Sequence, residues 1–174
     1  MQHTQLTGHA TLVTFLMLAL WGTSPVFAQQ VLVKAQRGKV GETTTVMVSL
    51  DQTARAINAL GLTLVYDPGV LRYTGTFTKG PLVRGFDFFD VHERQPGQIR
   101  VGGFTTKEAI AQGASGDMVS LAFTVRSAGT TTVRIVHLVD DLAGLTTIPG
   151  TFIGETAALQ GTPPVITLVT QIEP

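Results

Sequence analysis

The chain has 174 residues, of which 44% are hydrophobic and only 14% charged; it has no cysteine, and its 12 basic and 12 acidic residues give a formal net charge of +0. Plentiful aliphatics with so little charge exclude a disordered chain, and charge neutrality excludes the phosphate-neutralising surface that nucleic-acid binding needs. The missing cysteines exclude a disulfide-stapled scaffold, so the fold must rest on a hydrophobic core.

From the N-terminus, Ala10 to Trp21 forms an apolar run too short for the ~20 residues that span a bilayer. Val26-Phe27-Ala28 then places small residues at −3 and −1 of a signal-peptidase site, with cleavage expected after Ala28. No Lys or Arg precedes Lys34, which leaves the terminal amine, His3 and His9 as the positive end of this segment. The reading is a signal peptide over 1–28 and one domain over 29–174. The mature product is then secreted, extracellular or periplasmic, with no membrane attachment after cleavage.

Val31 to Gln36 reads as a first strand, and Arg37 to Glu42 as a glycine-bearing turn. Thr43 to Leu50 is β-branched and alternating, with Val46, Val48 and Leu50 on one side. Leu60, Leu62 and Leu64 likewise share one face of a strand that ends at Tyr66. Asp67-Pro68-Gly69 supplies turn chemistry, an Asx acceptor, a proline with fixed φ and a glycine able to take positive φ, before a strand over 70–77. Residues 78–97, with Pro81, Pro96 and the aromatic knot Phe86, Phe88 and Phe89, read as a long loop.

Gln98 to Phe104 returns to strand, its paired glycines pointing to a bulge or a close backbone approach. Thr106 to Gln112 is the one helical segment, capped by Thr105 or Thr106 and stopped by Gly113. In Met118 to Arg126, Val119, Leu121, Phe123 and Val125 face inward while Ser120, Ala122, Thr124 and Arg126 face outward. A strand over 131–137, a loop through Asp140 and Asp141, a short strand near 151–153 and a last strand over 165–172 complete the chain. Nine short strands separated by turn residues, with one short helix, specify an all-β sandwich.

Four blocks, Val40–Leu50, Leu60–Leu71, Gly97–Phe104 and Gly116–Val125, resemble in order and spacing those of the cohesin family, secreted modules that in cellulosomes bind the dockerin modules of polysaccharide-degrading enzymes. The resemblance implies a nine-stranded jelly-roll β-sandwich related to carbohydrate-binding modules. It also implies a docking sheet containing the strands at 60–66, 98–104 and 118–126. The outward residues of those strands make Thr63, Val65, Arg100, Ser120, Thr124 and Arg126 the candidate partner-binding face, with Gly61, Gly102 and Ala122 between them. Ala59 and Gly61 stand where cellulosomal cohesins carry polar side chains, so the face is blander than theirs. The partner implied is a dockerin-like module that brings its own calcium, and the chain itself is expected to be monomeric.

No catalytic constellation accompanies this pattern. His92 and His137 lack motif partners, and neither Asp140-Asp141 nor Asp87, Asp90 and Glu93 matches a calcium loop. The sequence therefore predicts neither enzyme activity nor a cofactor or metal, and at least two of the three phenylalanines are expected in the core. Two alternatives stand beside protein docking. Direct polysaccharide binding is disfavoured because Trp21 lies in the signal peptide and Tyr66 and Tyr73 are the only tyrosines. A structural envelope or pilus-like subunit built by edge-strand addition predicts polymers.

Overall fold

The computed structural model describes residues 29–53 and 55–156; the signal-peptide assignment and the strand expected at 165–172 fall outside them. Eleven strands follow in order: β1 Gln30–Val33, β2 Gln36–Lys39, β3 Thr43–Asp51, β4 Ala59–Val65, β5 Leu71–Lys79, β6 Phe88–Gln95, β7 Gln98–Phe104, β8 Gly116–Val125, β9 Gly129–Asp140, β10 Thr146–Ile148 and β11 Gly150–Glu155. They form two sheets, ordered β10-β1-β3-β8-β5 and β2-β11-β9-β4-β7-β6. The expected sandwich is present. Its strand count exceeds nine chiefly because the first and last strands each pass from one sheet to the other, as β1/β2 and β10/β11. Both crossing pairs are parallel, Gln30 to Leu32 beside Thr146 to Ile148 and Gln36 to Lys39 beside Phe152 to Glu155.

The period-two apolar pattern decides what lies between the sheets. Leu60, Leu62 and Leu64 of β4 and Ile99 and Val101 of β7 face Val46 and Val48 of β3 and Val119, Leu121, Phe123 and Val125 of β8, all buried. Phe123 sits at the centre, edge-on to Tyr66 with ring centroids 5.0 Å apart and tilted to Tyr73 at 5.6 Å.

Four local readings need correction. The turn read over 37–42 begins as strand β2, because Gln36 to Lys39 pair with β11. The loop read over 78–97 contains a 3-10 turn, Pro81–Val83, and all of β6, an edge strand whose exposed charges resemble a loop in sequence. Thr106 to Gln112 is not helical. Thr105 does cap a turn, its hydroxyl accepting the Lys107 and Glu108 amides at 3.2 Å each. Ile110, however, is buried and exchanges both backbone hydrogen bonds with Ile57, which draws the segment out straight. At Asp67-Pro68-Gly69 the Asx acceptor is present, with the Gly69 amide 2.8 Å from the Asp67 carboxylate. Positive φ falls instead at Gly97, whose +88° after Pro96 turns β6 into β7.

Candidate functional site

The expected partner face does not assemble as one surface. β8 pairs with β3 and β5, in the sheet opposite β4 and β7, so Ser120 and Thr124 point away from Thr63, Val65 and Arg100. Arg126 lies just beyond β8 and holds the neighbouring turn, its guanidinium donating to the Pro68 carbonyl at 3.2 Å. The alternation of β8 was legible, but alternation gives the side of a strand and not its sheet. β9 takes the place assigned to β8, lying beside β4.

The outer face of the six-stranded sheet is organised in rows running across its strands. The pairings His137 with Thr63, Thr63 with Arg100 and Arg100 with His92 set four residues of β9, β4, β7 and β6 side by side. The next row is Val139, Gly61, Gly102 and Asp90, and the one after it Ala59, Phe104 and Phe88. On the other side of the His137 row lie Arg134, Val65 and Gln98. Neighbours within a row stand ~5 Å apart, and rows are separated by ~7 Å along the strands.

The His137, Val139 and Ala59 rows line a concavity of about 430 Å³, and the row of Arg134, Val65 and Gln98 lies outside it. A side chain at Gly102 would meet nothing closer than the Leu60 carbonyl oxygen at 4.0 Å, so its backbone is the open floor; Gly61 is covered by Val139, which a Cβ there would approach to 2.4 Å. Thr63 retains only 9% of its exposure, Val65 is half-buried and Arg100 is exposed. Phe88 and Phe104 form the apolar wall, 51% and 48% exposed and stacked on each other at 5.7 Å with an interplanar angle of 22°. The other two phenylalanines of the knot belong to the interior, Phe86 buried and Phe89 partly so.

Asp90, Glu93 and Asp141 each have their own partner. Asp90 lies 3.1 Å from His92 Nδ1. Glu93 accepts the Tyr66 hydroxyl, whose pKa is pushed up to about 12, first by burial and then by that bond. Asp141 accepts the amides of Asn58 and Ala59 at 2.8 and 3.0 Å, which holds its carboxyl below the usual range. Among the described residues no three His, Asp or Glu side chains converge on one point.

Asp87 ties the turn after Phe104 to the strand that starts at Phe88. It accepts the Thr106 amide at 2.7 Å, the Thr106 hydroxyl at 2.8 Å and the Lys107 ammonium at 3.1 Å. The Thr106 amide, then the hydroxyl and Lys107, lower its pKa from 3.8 to about 2. A depressed carboxylate stabilises the fold above its unfolded pKa and ceases to do so as pH falls through the folded one. Asp87→Asn should therefore melt below the parent at pH 7, with the gap closing between pH 3.8 and about 2. Thermal melts across that range test this, and a gap that persists at the acid end would refute the carboxylate's role.

His137, read in the sequence only as a histidine without a motif partner, reaches this face because a β9 bulge turns it outward. The bulge falls between Thr63/Leu64 and leaves Val136 as the extra residue, so the pairing passes from Ile135 to His137. Consecutive Ile135 and Val136, which break the alternation, are the signal of that phase change.

Comparison with known proteins agrees with this fold. The family model for the cohesin domain matches residues 29–152. Among solved structures, the chain is similar to a non-cellulosomal cohesin from the archaeon Archaeoglobus fulgidus, with a TM-score of 0.61, 18% identity, and coverage of 74% of this chain and 92% of that one. It is likewise similar to the sixth cohesin of scaffoldin B from Acetivibrio cellulolyticus, solved in complex with a Cel5 dockerin, at TM-score 0.61, 18% identity and coverage of 74% and 100%. A third similar structure is the seventh type I cohesin of ScaB from Pseudobacteroides cellulosolvens, at TM-score 0.60, 16% identity and coverage of 84% and 99%. No curated protein matches. A family match over most of the chain, on a sandwich with the same two-sheet architecture, means that this protein belongs to the cohesin family.

Proposed function

We propose that this cohesin is a secreted, non-catalytic module that docks a dockerin-like protein on the outer face of its six-stranded sheet, in the service of polysaccharide breakdown. The observation that carries the reading is the surface around Gly102, a shallow concavity with backbone for a floor and phenylalanine on one wall, in a chain of this family. Solved relatives in complex with dockerins support the class of partner. Secretion rests on the apolar run before Ala28, and the monomeric state on the family resemblance.

Two substitutions on opposite sheets test the site. Gly102→Trp fills the concavity from a position with room for a side chain, whereas Thr124→Arg alters the other sheet. The full chain, used as bait in the secretome of its source, should capture a protein carrying paired calcium-loop repeats. Gly102→Trp should abolish capture and Thr124→Arg should leave it intact. The reverse pattern would move the site to the β8 sheet.

A further inference from the structure

We infer that the segment received by this face carries a carboxylate side chain and, one helical turn along, a large apolar side chain, the first held by Arg100 and the second seated over Gly102 beside Phe88 and Phe104. The inference rests on the docking reading above and adds the chemistry and the direction of the partner. It follows from a gradient along the strands. At one end stand the stacked phenylalanines; at the other, Arg100 lies between His92 and the Thr63–His137 pair, with Arg134 in the next row. Neither Arg100 nor Arg134 forms an ion pair among the described residues, and both are exposed on this face. An exposed planar guanidinium with its donors uncommitted matches a carboxylate in both charge and geometry.

The acidic groups on the face set the direction. Asp90 flanks the glycine row from β6, where His92 is its partner at 3.1 Å, and Asp140 flanks it from β9, 3.4 Å from where a Gly61 Cβ would stand. Both flank the glycine row, where they disfavour a second carboxylate over Gly102 and leave the arginine end, Arg100 with Arg134 beyond it, for the partner's acid. The backbone groups of β4 and β7 are already paired within the sheet, so a segment lying on this face must satisfy its own hydrogen bonds, as a helix does, and the spacing fits one. Arg100 and Gly102 are two residues apart on one strand, ~7 Å, and residues i and i+4 of a helix are separated by ~6 Å along its axis. A helix laid along β7 therefore meets both with one turn.

The test is selection from a displayed library of helical hairpins, randomised on one face, against the immobilised full chain. The expected outcome is enrichment of Glu or Asp with Leu, Ile, Phe or Met one turn away. Binders so selected should lose tenfold or more in affinity on Arg100→Glu, and versions with Lys in place of the acid should regain it. Arg100 is exposed, and unchanged melting of the variant separates lost binding from lost folding. Enrichment without acidic residues, or binders indifferent to Arg100→Glu, overturns the inference. If those binders are still blocked by Gly102→Trp, the docking face itself stands; if they are not, it falls as well. Failure to select any binder overturns the inference, as does a self-associated chain dispersed by Arg100→Glu in sedimentation, which would make a second copy the occupant. Retention on polygalacturonate gels lost in the same variant would assign the face to an acidic sugar and likewise overturn it.

Discussion

Replacing Phe123 by alanine should lower the stability of this domain by ~3–5 kcal/mol, the range for deleting a buried phenyl ring. The ring is fully buried at the centre of β8 and packs against Tyr66, just after β4, and Tyr73 from β5. Its removal therefore opens a void between the two sheets. Neighbours cannot collapse into that void easily, because Tyr66 is held by its amide on the Gly97 carbonyl and its hydroxyl on Glu93, and Tyr73 by the pairing of β5 with β8. Domains of this kind have ~5–15 kcal/mol in total, so the variant should unfold at a much lower urea concentration with little change in slope. A loss of less than about 1 kcal/mol would mean that Tyr66 and Tyr73 rearrange to fill the space.

Gly80→Ala should be the most damaging of the minimal changes. A Cβ at Gly80 would lie 2.1 Å from the Asp117 carbonyl oxygen and 2.8 Å from the Met118 carbonyl carbon, both backbone atoms of β8. No flexible side chain is available to give way. The Gly80 amide donates to the Met118 carbonyl at 2.7 Å, which fixes the approach that the methyl would prevent. Relief requires β5 and the Pro81–Val83 turn to lift from β8, exposing Val83, which is fully buried. The expected cost is about 3 kcal/mol, at the upper end for overpacking. Urea unfolding checks it, and Gly113→Ala, in open space though at positive φ, should cost less.

How far the sequence could be read depended on the range of the signal. The in-and-out order of β3, β4, β7 and β8 follows from side chains two residues apart, so the faces of Leu60, Arg100 and Phe123 are legible from neighbours alone. Which sheet receives a strand depends on partners far along the chain. Nothing local to Ser120 or Thr124 distinguishes a place beside β4 from a place beside β3. β6 was missed because an edge strand turns only a few apolar residues inward, Phe89 and Val91, and Glu93 on the same side makes sense only once Tyr66 is known to meet it. The helix at 106–112 failed for the opposite reason. A sound local signal, the Thr105 cap, was overruled by the distant pairing of Ile110 with Ile57. The site shared both limits. Arg100, Val65 and Thr63 were legible as one side of two strands, whereas His137 and the Phe88–Phe104 stack needed the bulge and the edge strand to be known.

The parallel clasp of first strand with last has a mechanical consequence. β1 and β2 run alongside β10 and β11 in the same direction, Gln30 beside Thr146 and Lys39 beside Glu155. Tension between the start of β1 and the end of β11 pulls these neighbours past each other along their own axes. Every hydrogen bond of both registers then shares the load at once, where an antiparallel hairpin gripped at its open end would unzip rung by rung. A module that tethers one protein to another would hold its shape under traction for that reason.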